Sequence, residues 1–377
     1  MSNKFKVTVL MLGTLIGFLA LNIFASRQRL EEFLPKALAK ILFKQPLTVG
    51  MMHIDPAIIE YSLTFDDAID QAANRLNGQV VLKKLHMPID ENTEQSIEDL
   101  ITHDHCKVIF ADSAEYQPAI FKIAPKYPEV KFEYVGGSAT LNNVGTFFGD
   151  VYKVRYLSGV VAGSMVKQGF IGYVAYEKTA HVLNELNAFT LGVRSVNPKL
   201  LVKVIWTHNR YDALKCRVAS LKLLDLGAEL IAQHVDVIYP SIVAVQRGKY
   251  AIGNNADFRQ SLHSDLVLTS VTWSWASHFL KSIQAVLNHT WRVQRFFSQL
   301  GDADSLAQLA PLSPLVPNKV QQQVQNTRQQ LISGTLRLFC GELRDNTGKV
   351  RQTSNQCLSE KALEHTDWLV EGVSEIN

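Results

Sequence analysis

Residues 143–215 read NVGTFFGDVYKVRYLSGVVAGSMVKQGFIGYVAYEKTAHVLNELNAFTLGVRSVNPKLLVKVIWTHNRYDALK, and this stretch decides the fold. Its pattern predicts an amphipathic helix rich in small residues at 156–165, followed by a strand at 171–175. A second helix and then a strand at 201–206 complete the stretch. This alternation is typical of βαβ units, so it predicts a parallel sheet with helices on both faces.

The same alternation continues on both sides of this stretch and predicts two lobes, because about 330 residues exceed the usual size of one hydrophobic core. For the first lobe we predict strands at 48–53, 79–85, 108–111 and 131–134 and helices at 65–76, 94–102 and 118–126. For the second, beginning near residue 170, we predict further strands at 230–233 and 250–253 and helices at 212–226 and 238–247. The apolar run LVLTSVTW at 266–273 predicts one more strand.

The N-terminus carries an apolar segment that indicates export. Lys4 and Lys6 precede residues 7–25, which contain no charge. Such a segment is either a signal peptide or a membrane anchor, and we expect an uncleaved anchor. Residues 27–44 form either a basic amphipathic stalk on the membrane surface or an ordinary spacer helix, and Pro35 would kink it. We therefore assign residues 1–45 to a signal or anchor segment with its stalk.

Composition excludes some partners. A formal net charge of +3 with 19% charged residues describes a nearly neutral protein, and no basic run interleaved with aromatics suggests nucleic-acid binding. Of the four cysteines, Cys340 and Cys357 could form a disulfide across a hairpin in an oxidising compartment. Unpaired buried thiols are the alternative, and we expect the thiols.

Several further segments keep the order and spacing of a known family. They are VGMMHID at 49–55, FADSAEYQ from 110, AELIAQHVD from 228, YAIGNNADF from 250, LVLTSVTWSWASHF from 266, LFCGELRDNTGKV from 338 and DWLVEGV at 367–373. With residues 143–215, they make the chain resemble the basic membrane protein family of ABC-transporter substrate-binding proteins, especially its purine- and nucleoside-binding members. The resemblance implies a type I periplasmic binding protein fold, in which two doubly wound lobes are joined by a hinge. We place residues 46–165 and 272–315 in lobe 1, and 166–271 and 316–377 in lobe 2.

The resemblance implies a function as well as a fold. It implies a binding protein in the periplasm or on the outer face of the cytoplasmic membrane, which holds a purine base or nucleoside between its lobes and delivers it to an ABC permease. The alternative is a membrane-anchored sensory or accessory module with an altered cleft. This alternative arises because Leu63, Ala114 and Arg210 stand where the family commonly has aromatic rings.

Ligands of open parallel sheets bind beyond the carboxyl ends of the strands, so the loops there supply the candidate contacts. The expected contacts are Asp236, Asp257, Trp275, Trp273, Ser113, Tyr116, Phe65, Asp212 and Arg210. The carboxylates would accept hydrogen bonds from the ligand, the rings would stack on it, and the serine would offer a hydroxyl. Each has a structural alternative: an aspartate at a strand end is often a helix N-cap, and a tryptophan pair is often packing.

Two details of these contacts are specific. The spacing of Trp273 and Trp275 predicts that both lie on one face of a strand. Arg210 either pairs with an acidic group of an altered ligand or lies in solvent, and we expect solvent. The sequence has no GxSxG, HExxH or GxxxxGK[ST] motif, and the HDH triplet at 103–105 is typical of a surface turn. We therefore expect no catalysis, no cofactor and no metal.

Overall fold

The computed structural model describes residues 45–54, 60–87, 89–137 and 139–376. The apolar segment predicted at 7–25 and the amphipathic stalk predicted at 27–44 lie outside these residues. Among the helices of the described part, none combines the length and the hydropathy needed to cross a membrane. The chain from Thr48 onward forms a single contact unit, and this unit contains two parallel sheets.

The first lobe is built on a six-stranded sheet. Its strands are β1 (Leu47–His53), β2 (Val80–His86), β3 (Val108–Ala111), β4 (Lys131–Val135), β5 (Val144–Gly149) and, much later in the chain, β11 (Arg295–Ser298). They lie in the order β11-β5-β4-β3-β1-β2. The β1–β3, β3–β4, β4–β5 and β5–β11 pairs are all parallel. Every residue of β3 is buried, as expected for a strand covered on both faces.

The second lobe is built on a seven-stranded sheet. Its strands are β6 (Phe170–Ala175), β7 (Val202–Trp206), β8 (Ala228–His234), β9 (Tyr250–Asn255), β10 (Val267–Trp273), β12 (Ala307–Leu309) and β15 (Val373–Glu375). The order is β12-β10-β9-β8-β6-β7-β15, and only β12 runs antiparallel to its neighbour. The α/β fold predicted from the sequence, with two lobes of parallel strands, is confirmed.

Helices connect the strands on both sheets. They are α1 (Glu60–Arg75), α2 (Thr93–Thr102), α3 (Gln117–Ile123), α4 (Val151–Met165), α5 (Ala180–Val196), α6 (Ala213–Asp225), α7 (Tyr239–Gln246), α8 (Phe258–Leu262), α9 (Ala276–Leu287), α10 (Asn318–Ser333) and α11 (Glu360–Glu364). Helices α4 and α5 pack closely because glycines lie at their contact. A Cβ on Gly159 would lie 2.0 Å from the carbonyl oxygen of Phe189, and one on Gly192 would lie 2.1 Å from that of Tyr156.

The chain crosses between the sheets three times. It crosses after β5, after β10 and between β11 and β12. The crossing segments bind one another: the Asp150 amide donates to the Ser298 carbonyl at 3.0 Å, and the Ser274 amide donates to the Leu306 carbonyl at 2.8 Å. The Leu306 amide also donates to Ser298 Oγ at 2.8 Å. Three adjacent crossings of this kind form the hinge region between the lobes.

Some segments belong to a different lobe from the one predicted from the sequence. Helix α4, assigned there to lobe 1, shares its core with α5 and the second sheet. Strand β12, also assigned to lobe 1, pairs with β10 in the second sheet. The physical reason is that the small residues of α4 allow it to pack closely against α5. Helix α4 therefore belongs to the same lobe as α5.

A disulfide joins Cys340 to Cys357 in the C-terminal segment. It lies beside the short hairpin of β13 (Leu343–Arg344) and β14 (Val350–Gln352). The expectation of unpaired thiols at these two positions is therefore wrong, because the antiparallel approach of the two segments brings the cysteines together. Cys106 and Cys216 are buried free thiols.

Candidate ligand-binding site

Arg210 connects the two lobes. It lies in the loop after β7, and its Nη2 donates to Glu115 Oε1 at 2.7 Å, across from the segment that follows β3. Its guanidinium also lies over the ring of Tyr176 at 4.8 Å, and its Nε is 3.9 Å from Asp236 Oδ2. Only 22% of the side chain is exposed, so the expected position in solvent is wrong. Burial would lower the pKa of Arg210, but Asp236, Tyr176 and Glu115 raise it.

Asp236 is a buried carboxylate at the carboxyl end of β8, with 8% of the residue exposed. Its Oδ1 accepts a hydrogen bond from Asn255 Nδ2 at 2.9 Å. Asn255 Oδ1 in turn accepts from the indole Nε1 of Trp273 at 3.2 Å. Burial raises the pKa of Asp236 to about 6, although the nearby Arg210 lowers it. A carboxyl that titrates near pH 6 can accept a hydrogen bond when ionised and donate one when protonated.

Three aromatic rings form a continuous stack where the chain leaves β10 of the second lobe and enters α9. Phe65 lies on Trp275 with ring centroids 4.7 Å apart, and Trp275 lies on Trp273 at 4.6 Å with an interplanar angle of 14°. Phe65 and Trp275 are completely or almost completely buried, and Trp275 Nε1 donates to Thr64 Oγ1 at 3.3 Å. Trp273 is half-buried and meets Phe148 at 5.2 Å. Of the stacked rings, Trp273 is therefore the one that a ligand can reach.

Three of the expected contacts cap helices. Ser113 Oγ accepts from the Glu115 amide at 3.2 Å, and Asp212 Oδ1 accepts from the Lys215 amide at 3.0 Å. Asp257 Oδ1 likewise accepts from the amide of the second residue after it at 3.2 Å. Its other oxygen differs: within the described part of the chain, Asp257 Oδ2 is buried with no hydrogen-bond partner. All three residues therefore act as N-caps, and Asp257 also keeps a second oxygen that can accept a hydrogen bond from a ligand.

Tyr116 lies in the core of the first lobe and not at the surface of the ligand-binding loops. The residue is completely buried in the core of the first lobe, and its hydroxyl donates to the Met87 carbonyl at 3.1 Å. With Phe65, it supports the shape of the first lobe. The structure thus brings together Arg210, Asp236 and Trp273, the last through Asn255, and places the remaining aromatic candidates behind them.

The sequence did not reveal a buried polar network in the second lobe. Arg155 is 1% exposed, and its Nε donates to Glu185 Oε2 at 2.5 Å. Its other nitrogens donate to the Gln233 carbonyl at 3.1 Å and to Asn254 Oδ1 at 2.5 Å. Burial would raise the pKa of Glu185, but His234 and Arg155 hold it below its ordinary value. A single arginine in the apolar helix α4 was the signal that could have identified this network.

A second buried group that the sequence did not reveal lies at the carboxyl ends of β1 and β2. His53 Nε2 is 3.1 Å from Asp66 Oδ1, and His53 Nδ1 is 3.2 Å from Asp112 Oδ2. His86 Nε2 is 3.4 Å from Asp66 Oδ2. The possible metal-ligand atoms of His53, Asp66 and His86 all lie within 4.8 Å of one another. A second set of three side chains in the other lobe meets the same limit.

Comparison with known proteins agrees with the fold. The family model Bmp, described as ABC transporter substrate-binding protein PnrA-like, matches residues 59–335. A purine-binding protein of Brucella abortus (strain 2308) is 30% identical over 334 residues, which cover 88% of this chain and 94% of the relative. A putative ABC transporter glucose-binding protein of Haloferax volcanii is 31% identical over 234 residues, 62% of this chain and 59% of that protein.

Solved structures of other proteins have the same architecture. A solute-binding protein of an ABC transporter system from Aeropyrum pernix K1 superposes with a TM-score of 0.67 at 16% identity, covering 78% of this chain and 93% of that one. At this identity the likeness speaks for the fold alone. The family match and the Brucella relative confirm the resemblance found in the sequence, and binding proteins rather than enzymes make up this family. The chain belongs to the Bmp family of PnrA-like ABC transporter substrate-binding proteins.

Proposed function

We propose that this protein binds a purine base or nucleoside between its lobes, outside the cytoplasm, and delivers it to an ABC permease. Its family supports the transport role, and the relative from Brucella abortus, named as purine-binding, supports the ligand class. The N-terminal apolar segment would hold the protein at the membrane or be removed on export.

The observation that carries the ligand assignment is the line of contacts from Trp273 through Asn255 to Asp236. A purine needs an aromatic face for stacking and an acceptor for its ring N–H. The indole of Trp273 supplies the face, and Asp236 supplies a buried acceptor that Asn255 keeps in place. Asp257, two residues beyond Asn255, adds the unpaired oxygen Oδ2.

The charge of Asp236 fits a neutral ligand with donors better than an anion. The carboxyl is buried, and its nearest cation, Arg210, already pairs with Glu115. A second negative charge placed beside Asp236 would therefore find no free partner in this group. Neutral bases and nucleosides, which carry N–H and O–H donors, avoid this cost.

A panel of ligands tests the proposal. Adenine, guanine, hypoxanthine and their nucleosides are titrated into the protein, with glucose as the contrasting ligand, and binding is followed by thermal stabilisation. At least one purine should bind with a dissociation constant near micromolar, which is about 8 kcal/mol. Trp273→Leu should weaken it by about 5- to 150-fold, the range for loss of one stacked base.

A matched control separates the loss of stacking from a general loss of tryptophan. Trp206 is also half-buried and also donates through Nε1, here to Glu375 at 2.6 Å, at the β15 edge of the sheet. Trp206→Leu should leave purine affinity unchanged. Equal losses in the two variants, or stabilisation by glucose alone, would contradict the proposed site.

A second candidate function follows from Arg210. The guanidinium occupies a position where the family commonly has a ring, and it ties the lobes together through Glu115. A cleft held in this way suits a membrane-anchored accessory module that acts through protein contacts. Absence of binding by every base, nucleoside and sugar at millimolar concentration would favour this second function.

A further inference from the structure

Three side chains of the second lobe converge beside the buried Arg155. His181 Nε2, in the first turn of α5, lies 2.8 Å from Glu185 Oε1. His234 Nδ1, at the end of β8, lies 3.6 Å from Glu185 Oε2. The two imidazole rings are nearly perpendicular, with an interplanar angle of 77° and centroids 5.7 Å apart. The ligand atoms of all three residues lie within 4.8 Å of one another.

His234 supplies an independent sign that a ligand belongs here. The residue is 8% exposed, and within the part of the chain that the structure describes its Nδ1 has no hydrogen-bond partner. A buried nitrogen without a hydrogen-bond partner is unfavourable until something binds it.

The neighbouring residues hold these side chains in position. Arg155 donates to Oε2 of Glu185 and leaves Oε1 facing His181. The hydroxyl of Tyr152 lies 3.5 Å from His181 Nδ1, on the side of the ring away from Glu185. Such outer contacts fix the ring orientation and carboxylate geometry of metal ligands. The positive charge of Arg155 opposes a cation, so we expect moderate affinity.

We propose that His181, Glu185 and His234 bind a divalent transition-metal ion of the zinc, cobalt or nickel type. Two imidazoles and one carboxylate form a common protein ligand set for zinc and leave a fourth position open. The side chain of His181 is 40% exposed, so this position is reachable from solvent. The inference does not depend on purine binding, and it differs from the absence of a metal expected from the sequence.

The other histidine cluster in the described part of the chain is less suited to a metal. The rings of His53 and His86 are stacked, with centroids 4.2 Å apart and an angle of 19° between their planes. Imidazole lone pairs lie in the plane of the ring, so two stacked, nearly parallel rings do not direct their lone pairs at one ion between them. In addition, Lys84 Nζ lies 3.0 Å from Asp66 Oδ1 and occupies the carboxylate. This cluster therefore serves as the matched control.

The test uses the full chain, freed of any histidine tag and treated with EDTA, with no purine present. Co²⁺ is titrated and followed by its visible absorption, and Zn²⁺ is titrated by calorimetry. We expect one ion per chain. His234→Ala and His181→Ala should each weaken binding at least tenfold, as is typical when a metal site loses a supporting group. His86→Ala should leave the affinity unchanged.

Folding is checked for each variant by thermal unfolding in EDTA. If His234→Ala does not fold, His181→Ala decides, because its half-exposed side chain can be removed with little effect on the core. Three results would overturn the proposal: no binding by the wild type, unchanged affinity in a folded His181→Ala or His234→Ala protein, or loss of binding in His86→Ala. Failure of purine binding would leave this result unaffected, since the metal is measured alone.

Discussion

The ion pair between Arg210 and Glu115 should stabilise the observed arrangement of the two lobes by a small, measurable amount. The two atoms are 2.7 Å apart, but the Glu115 side chain is 54% exposed. Solvent therefore screens the attraction, and an exposed pair of this kind contributes about 0.5 kcal/mol. Contact of the guanidinium with Tyr176 adds about 1 kcal/mol, but within one lobe only.

The perturbation is a double-mutant cycle with Glu115→Gln and Arg210→Met. Arg210→Met should lower the free energy of unfolding by roughly 1–2 kcal/mol, since it loses both the ion pair and the ring contact. Glu115→Gln should lower it by about 0.5 kcal/mol. The coupling between the two changes, measured by urea unfolding at low ionic strength, should be about 0.5 kcal/mol and should nearly vanish in about 1 M salt.

The same coupling predicts a ligand effect. If the lobes bind ligand in the observed arrangement, a change of about 0.5 kcal/mol corresponds to an affinity about twofold weaker in Glu115→Gln. Arg210→Lys, which keeps the charge but loses the planar contact on Tyr176, serves as the control and should retain most of the coupling to Glu115. A coupling of zero at low salt, or one that salt does not change, would refute the assignment of Arg210 as a link between the lobes.

Three further changes follow from single contacts. Burial raises the pKa of Asp236 to about 6 from 3.8, so the folded state holds the proton of this carboxyl more tightly than the unfolded state does. Asp236 therefore stabilises the fold below about pH 4, and this contribution is lost as the pH rises through 6. Asp236→Asn should therefore gain roughly 1–3 kcal/mol relative to the wild type between pH 4 and 7 in urea unfolding, and a pH-independent difference would contradict this. Gly159→Ala should destabilise the protein by about 3 kcal/mol in thermal unfolding, because the new Cβ would lie 2.0 Å from the Phe189 carbonyl oxygen. A loss of stability below about 1 kcal/mol would show that α4 and α5 do not pack this closely. Reduction of the Cys340–Cys357 disulfide, which spans 17 residues, should cost about 3 kcal/mol, and an unchanged melting temperature in reductant would contradict the bridge.

The fold could be predicted from the sequence because each strand carries its own signal. The runs VIFA at 108–111 and FIGYVA at 170–175 are apolar throughout, and the structure buries every residue of both. Such runs are typical of parallel strands with helices on both faces. Short edge strands such as β11 and β15 were not predicted, since they contain few residues and are only partly buried. Their pairing depends on distant parts of the chain.

The site could be predicted only in part, because the roles of its side chains depend on tertiary contacts. The spacing of Trp273 and Trp275 predicted one shared face of a strand, but β10 ends at Trp273 and Trp275 is the N-cap residue of α9. The rings stack on each other instead, and Phe65, more than 200 residues earlier in the chain, covers the inner one. Sequence spacing carries no information about that contact.

The buried charges were the least predictable part. Asp236 was identified, but its pKa is raised by burial, against the lowering effect of Arg210 and Asn255, and both the burial and these two neighbours come from other parts of the chain. Arg155 and Glu185 lie 30 residues apart on two helices, and only the packing of α4 against α5 brings them together. A charge in an apolar helix indicates that a partner exists but does not identify it.

Isothermal titration of the wild-type protein with single purines tests the proposed binding site most directly. We predict one molecule bound per chain, with a dissociation constant near micromolar for at least one base or nucleoside and an affinity that falls in Asp236→Asn and Trp273→Leu. Absence of heat for every purine at millimolar concentration, from protein that unfolds cooperatively, would contradict the proposal that these lobes hold a purine.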